Sequence, residues 1–233
     1  MRRDLLVTGT DTGIGKTLVA CALAAALSQR LRVGVLKPAE TGCREEQGEL
    51  IPEDARRLRE ASGCDAPLEV VCPFRYAEPL APWIAAERAG WPIALDRVRE
   101  CFRKLTALSD VVLVESAGGL LVPLTAEYSF ADLAGDLDLS LVVVVGSRLG
   151  ALNQTLLTIE NARHRGLTVA GYVMNQLTRD EDLAQRLNPQ ALARLTDAAC
   201  LGELSFIDAA DTLPRARLAE IGEPLARRLL PFR

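Results

Sequence analysis

One stretch near the start, LLVTGTDTGIGKTLVACALAAAL (residues 5–27), constrains the fold more than any other. Leu5-Leu6-Val7 is an apolar run closed by turn residues, the pattern of a buried strand. From Lys16 onward, Leu18, Val19, Leu23 and Leu27 recur among alanines, a helical pattern of strong helix formers. Between the two stand Gly9, Gly13 and Gly15, then Lys16-Thr17. A strand, a glycine-rich turn and a helix N-terminus form an anion cradle. Backbone N–H groups converge there, the helix dipole favours negative charge, lysine reaches the outer phosphates, and threonine can ligate Mg²⁺. Gly13, Ile14, Gly15, Lys16 and Thr17 are therefore the candidate phosphate contacts. The usual G-x-x-x-x-G-K-[ST] spacing would put its first glycine at Thr10; Gly9 stands one place earlier, so the loop carries an extra residue. Three uses of a phosphate remain open at this point: hydrolysis to drive a switch, transfer to a substrate, or binding alone.

The 233 residues suffice for a single P-loop α/β domain over 1–233, and 49% hydrophobic content suits a buried sheet between helices. A net charge of −4 and a pI near 5.3 argue against an electrostatic nucleic-acid binder. Neither a bilayer-spanning apolar run nor a cleavable signal stands out, so a cytoplasmic location is expected. Six cysteines without C-x-x-C spacing and one histidine, His164, make a zinc site an unpromising reading; reduced thiols are expected. His164, at a helix end before a strand, reads as a partner of the helix dipole. Only three of the 27 basic residues are lysines: Lys16, Lys37 and Lys104. Lys16 and Lys37 stand in glycine- or proline-flanked loops, where a compact ammonium suits a phosphate. Lys104 lies on an ordinary charged helix face.

Further along, RVGVLKP reads as a second strand ending at Lys37, and residues 52–63 as a helix with proline in its first turn and Gly63 at its end. PLEVVCPF is a short apolar segment and LAPWIAAERAG a short helix. Residues 95–110 form an amphipathic helix with Leu95, Val98, Phe102 and Leu105 on one face. DVVLVESAGG is a central strand, residues 139–166 repeat the strand–loop–helix pattern, and LTVAGYVMNQ and CLGELSF supply further strands. A last helix spans 214–230, interrupted near Pro224. Alternating strands and helices imply a parallel sheet flanked by helices on both faces, of P-loop NTPase type, with ligands at the C-terminal ends of the strands.

The strand ends carry the chemistry. Glu115 follows four apolar residues and would emerge beside the phosphate loop as a Mg²⁺ ligand working with Thr17. Asp54 lies in the first turn of a helix, where an acid is favoured electrostatically in any case. Gly118-Gly119 can serve an anion or a simple turn. Lys37 is the odd part, because a switch NTPase has no need of a second lysine there. An enzyme joining two anions does, since a carboxylate or carbamate held against the γ-phosphate needs its charge offset. Thr41 and Gly42 add a hydroxyl and a flexible turn beside it. On residues alone the pattern points to phosphoryl transfer to an acidic acceptor.

The ordered set VTGTDTGIGKT, LKPAETG, Asp54, AEPLAP, VLVESAGGLLVPL, VVVVGSRLGALNQTLLT, GYVMNQ and LGEL resembles the dethiobiotin synthetase family over nearly the whole chain. The resemblance implies a homodimeric ligase, dependent on Mg²⁺ and ATP, that acts on 7,8-diaminononanoate and CO₂ through a carbamate and its phosphorylated anhydride. It implies catalytic roles for Lys16 and Lys37, metal contacts from Thr17, Asp54 and Glu115, and carbamate contacts from Lys37 and Thr41. Asn175 would read adenine, with Ser205, Phe206 and Ile207 lining that pocket and Ser116, Ala117, Gly118 and Gln176 also contacting nucleotide. The helix N-terminus after GSRLG, with Asn153, would serve the partner subunit's substrate. The chain departs from the family pattern at Ser116, Trp83 and Ser205, where glycine, histidine and proline are usual.

Two other classes share such a fold. ParA- or MinD-like ATPase switches carry an additional lysine early in the loop, at the place of Asp11, and act on DNA or a membrane. Cobyrinate-type amide synthetases need a glutaminase domain for which 233 residues leave no room. A nucleotide-binding regulatory protein of the same fold is a further reading.

Overall fold

The computed structural model describes residues 4–180, 182–208 and 213–229. In chain order the elements are β1 (Leu5–Gly9), α1 (Lys16–Leu27), β2 (Val33–Leu36), β3 (Ala39–Thr41), β4 (Arg44–Glu46), β5 (Glu49–Ile51) and α2 (Glu53–Ser62). There follow α3 (Leu68–Val71), β6 (Phe74–Tyr76), α4 (Pro82–Ala89), α5 (Leu95–Leu108), β7 (Val111–Gly119), β8 (Pro123–Thr125), β9 (Tyr128–Ser129) and α6 (Phe130–Asp136). The chain continues through β10 (Ser140–Ser147), α7 (Ala151–His164), β11 (Val169–Gln176), α8 (Leu183–Leu195), β12 (Cys200–Leu204) and α9 (Arg215–Leu229).

Six strands form one parallel sheet in the order β12-β11-β10-β1-β7-β2. Its strands read as unbroken apolar runs, VVLV in β7 and LVVVV in β10, because both faces are covered. Helix α1 packs against both α2 and α9 and is buried along nearly its whole length, which explains its alanines: small side chains let neighbours approach on every side. The closest approach is at Gly222 of α9, where an added Cβ would stand 1.9 Å from the Ala22 carbonyl oxygen. On the other side, Val143 and Val145 of β10 and Tyr172 and Met174 of β11 pack with Ile159 of α7 and Leu192 of α8.

Helix α5 buries Val98, Phe102 and Leu105 as its periodicity predicts, with Cys101 on the same face and Leu95 only half-buried. One expectation is corrected. Helix α9 runs through Pro224 without a break: proline removes one N–H, but the packing on α1 outweighs that local loss. Helices α6 and α8 occupy stretches that carried no helical assignment, and each begins with a reciprocal capping box, Ser129 with Asp132 and Asp182 with Gln185. Among the described residues no helix is long and apolar enough to cross a membrane.

Candidate active site

The sheet places its chemistry by register. Because Leu36 of β2 pairs with Val114 of β7, the next residues, Lys37 and Glu115, face each other at the sheet's C-terminal edge. Glu115 in turn aligns with Val7 of β1, just before the phosphate loop. That loop, residues 10–15, ends at Gly15 with φ +88°, the left-handed conformation that lets the backbone turn into α1. Gly13 is also left-handed, at φ +73°.

The polar groups converge on Glu115. Lys37 Nζ donates to its Oε1 at 2.6 Å, and Thr17 Oγ1 donates to the same oxygen at 2.8 Å. Lys37 Nζ also lies 3.3 Å from Asp54 Oδ2, on the first turn of α2. The Lys37 backbone N–H is fixed separately by the Val71 carbonyl. Lys37 is 3% and Glu115 1% exposed, so this is a buried ion pair rather than a surface one. Burial alone would lower the Lys37 pKa, but Glu115, Asp54 and Glu40 outweigh it and hold the ammonium charged well above its ordinary range. Burial pushes Glu115 above the usual carboxylate range, with Lys37 opposing. Lys16 folds back so that Nζ donates to the Asp11 carbonyl at 2.7 Å. Burial lowers its pKa, Glu115 opposes the shift, and Lys37 adds to it.

Around these groups opens a cavity of about 490 Å³. Gly13, Gly15, Lys16, Thr17, Lys37, Thr41, Asp54, Glu115, Ser116, Ala117 and Gly118 line it at one end, and Asn175, Gln176, Phe206 and Ile207 at the other. Ile14, expected among the phosphate contacts, does not line the cavity: its side chain is buried, and its carbonyl accepts from Asn175 Nδ2 at 2.9 Å. Asn175 thus props the phosphate loop from below, while its buried Oδ1 lacks a partner and is free to accept from a ligand. The Ser116 hydroxyl is engaged within the protein, 3.0 Å from the Gly118 carbonyl and 3.1 Å from Thr8 Oγ1.

Two expected residues lie elsewhere. Ser205 is exposed and lines a neighbouring cavity of about 420 Å³, which shares Phe206 and Ile207. Arg179 lies over the Phe206 ring at 6.0 Å. Asn153 is exposed on α7 and does not line the main cavity; Leu149, just before that helix, is 86% exposed. Conversely, Glu40 is 6% exposed and lines the cavity, although only its neighbours in KPAETG stood out in the sequence. Burial raises its pKa to about 7. The readable signal is Pro52, which opens α2 with no side chain able to cap it, so an acceptor must come from elsewhere.

Thr17, Asp54 and Glu115 present an all-oxygen donor set, the chemistry of Mg²⁺ rather than of a softer metal. The Glu115 Oε2 atom is buried without a hydrogen-bond partner, which a cation would satisfy. Among the described residues no group of three His, Cys, Asp or Glu side chains is arranged to hold a metal by itself. Two carboxylates and a hydroxyl suit an ion that completes its shell with phosphate oxygens and water.

Residues 3–212 match the family model described as an AAA domain. The ATP-dependent dethiobiotin synthetase BioD of Anaeromyxobacter dehalogenans (strain 2CP-C) is 47% identical over 228 residues, covering 97% of this chain and 99% of that one. Its counterpart in Anaeromyxobacter sp. (strain K) is 51% identical over 195 residues, with 83% and 86% covered. That of Aquifex aeolicus (strain VF5) is 39% identical over 193 residues, with 82% and 84% covered. Among solved structures, the cell division ATPase MinD of Pyrococcus furiosus superposes with a TM-score of 0.62 at 17% identity, covering 98% of each chain. The ParA family ATPase of Chlorobium tepidum gives 0.56 at 14%, covering 99% and 94%. At such identities these two establish the fold alone, a P-loop NTPase sheet. The sequence relatives go further: this chain belongs to the ATP-dependent dethiobiotin synthetase family.

Proposed function

We propose that this chain, a single α/β domain acting as a homodimer, makes dethiobiotin for biotin synthesis by joining CO₂ to the two amines of 7,8-diaminononanoate at the expense of ATP. One amine adds to CO₂ to give a carbamate, releasing a proton. A carbamate oxygen attacks the γ-phosphorus and displaces ADP, forming a carbamic-phosphoric anhydride. The second amine then attacks the carbonyl carbon, loses a proton and expels phosphate, closing the cyclic urea.

The chain's own groups fit these demands. Lys16 and the N–H groups of residues 13–17 hold the phosphates, and Lys37 with the Thr41 hydroxyl holds the carbamate. Bringing two anions together costs electrostatic energy that fixed cations offset. Thr17, Asp54 and Glu115 would hold Mg²⁺, which supplies Lewis-acid polarisation and charge neutralisation on the phosphoryl oxygens. Asn175 Oδ1 would accept from the base, beside Phe206 and Ile207. The observation that carries the reading is the second buried ammonium, Lys37, in the same cavity as the phosphate-loop lysine. A switch ATPase of this fold gives no reason to keep it. Asp11, where such switches carry their additional lysine, instead pairs with Arg148.

The test is retention of labelled bicarbonate in an acid-stable product. Acid discharges a free carbamate as CO₂, so retained label requiring both ATP and the diamine means ring closure. No retained label from folded, ATP-binding protein would refute the proposal.

A further inference from the structure

Helix α2 lacks a cap of its own. Its N-cap residue is Pro52, and no side chain there accepts from the first turn. The acceptor arrives from β3: Glu40 Oε1 takes the Asp54 N–H at 2.9 Å, and Oε2 takes the Ala55 N–H at 3.0 Å. These are two of the four donors that a helix N-terminus leaves unpaired, each satisfied by its own oxygen of one carboxylate. Glu40 is almost fully buried, so water does not offer those N–H groups an equal alternative. Its place is fixed at both ends. Strand β3 pairs with β6, with Glu40 opposite Arg75, and Lys37 begins the same turn of chain three residues earlier.

The first turn of α2 also carries Asp54, whose Oδ2 lies 3.3 Å from Lys37 Nζ. The Asp54 side chain is 38% exposed and the phosphate-side cavity is open beside it, so little packing holds the carboxylate in place. The N–H groups of Asp54 and Ala55 in that turn are held by the pair of bonds to Glu40. A one-turn fraying of α2 would carry Asp54 away from Lys37 and Glu115 while leaving the phosphate loop intact.

We infer that Glu40 is a positioning residue: it caps α2 from a neighbouring strand and thereby holds Asp54 at the Lys37–Glu115 pair, where the cation is bound. The inference rests on the proposed role of Asp54 as a metal ligand. Glu40 touches no reacting atom in this account; it acts through Asp54. A glutamine at position 40 keeps the shape but turns an N–H group toward one of the two helix donors, so one bond is lost and a repulsion replaces it.

The test uses the full chain and three readouts. Amide hydrogen exchange in the metal-free protein should quicken about tenfold at Asp54 and Ala55 in Glu40→Gln, with little change in α1. Mn²⁺ affinity in the presence of ADP, read by electron paramagnetic resonance, should fall about tenfold, while ADP affinity without metal stays within about twofold. The same Glu40→Gln change made in an Asp54→Asn background should alter Mn²⁺ affinity by less than about twofold, because the residue it works through is gone. Pro52→Ser supplies a local cap, so Glu40→Gln/Pro52→Ser should regain both amide protection and Mn²⁺ affinity. That double variant also keeps the proposal testable if Glu40→Gln alone folds poorly. Unchanged exchange, an equal loss of Mn²⁺ affinity in both backgrounds, or failure of Pro52→Ser to rescue would overturn the role of Glu40. If Asp54→Asn by itself leaves Mn²⁺ affinity unchanged, the metal assignment of Asp54 fails first and the proposal falls with it, an outcome distinguishable from loss of the Glu40 role alone.

Discussion

Lys37 Nζ and Glu115 Oε1 lie 2.6 Å apart where β2 ends beside the middle of β7, buried together beneath the phosphate cavity. The pair is a consequence of sheet register, since parallel neighbours in step deliver their next residues to the same edge. It holds a positive charge at a position where an incoming anion can use it.

Lys37→Ala is expected to lower kcat by about 10²–10³, the scale of removing one preorganised charge from a transition state. The dissociation constant for ATP should change by less than about fivefold, since the phosphate loop is untouched. Stability should fall too, by about 3–5 kcal/mol, because Glu115 is left buried without its counter-charge. Steady-state kinetics, nucleotide titration and urea unfolding check all three. Equal losses in kcat and ATP affinity would make Lys37 a nucleotide-binding residue.

Gly13 and Gly15 separate backbone strain from collision. Both have left-handed φ values, so alanine at either position incurs about 1–2 kcal/mol of strain. At Gly15 the new Cβ would also stand 2.2 Å from Asn175 Nδ2, whereas at Gly13 it meets nothing within 4 Å. Gly13→Ala should therefore weaken ATP binding by about tenfold and Gly15→Ala by at least about a hundredfold, read by calorimetry. Similar losses would mean that Asn175 does not support the loop.

Asn153 lies on the exposed face of α7, outside the cavity of its own chain. If that face serves a partner's substrate, heterodimers of a Lys16→Ala subunit with an Asn153→Ala subunit hold one intact site. Purified heterodimers should then recover about half of wild-type activity, as symmetry requires. Activity no higher than that of either parent homodimer would contradict a shared site.

Acid stability tests the clasp between α9 and the end of α1. Glu223 accepts two bonds from Arg30 at 2.8 Å and one from Arg227 at 2.7 Å. Arg30, then Arg227, lower its pKa to about 2. A depressed carboxylate stabilises the fold above its unfolded pKa of about 4.3 and loses that contribution as pH falls toward the folded value. The urea midpoint of the wild type should therefore exceed that of Glu223→Gln at pH 6, with the gap shrinking at pH 3. A gap independent of pH would mean that the two arginines are not the cause.

Where local pattern and tertiary context agreed, the sequence was readable. The run Leu5-Leu6-Val7 and the VVVV of β10 are apolar on both faces because parallel strands are buried on both, and glycines mark where they stop. The six strands of the sheet and the phosphate-loop end of the cavity follow from that pattern, whereas Gln176, Phe206 and Ile207 at its other end entered only through the family resemblance. Helix α8 holds Pro189 inside it, a residue unfavourable in a helix interior, while Asp182 and Gln185 mark its start. Pro224 reads locally as an interruption of the last helix, yet α9 continues through it; the close approach of Gly222 to Ala22, which packs α9 on α1, joins residues 200 positions apart. The short ribbon β3–β6 joins segments about 35 residues apart, and its two strands have three residues each. Such pairings leave no periodicity to count, and so nothing in the sequence singled out Glu40 as the cap of α2.

The most direct measurement of the central claim follows one oxygen atom. Bicarbonate labelled with ¹⁸O is supplied with ATP, Mg²⁺ and 7,8-diaminononanoate under single-turnover conditions, and the released phosphate is analysed by mass spectrometry. If the carbamate oxygen attacks the γ-phosphorus, each phosphate carries one oxygen from bicarbonate, and the label is lost in Lys37→Ala along with turnover. Phosphate containing only unlabelled oxygen or oxygen from water, formed at the full rate of ATP consumption, would contradict transfer to the carbamate and leave hydrolysis as the fate of the phosphate.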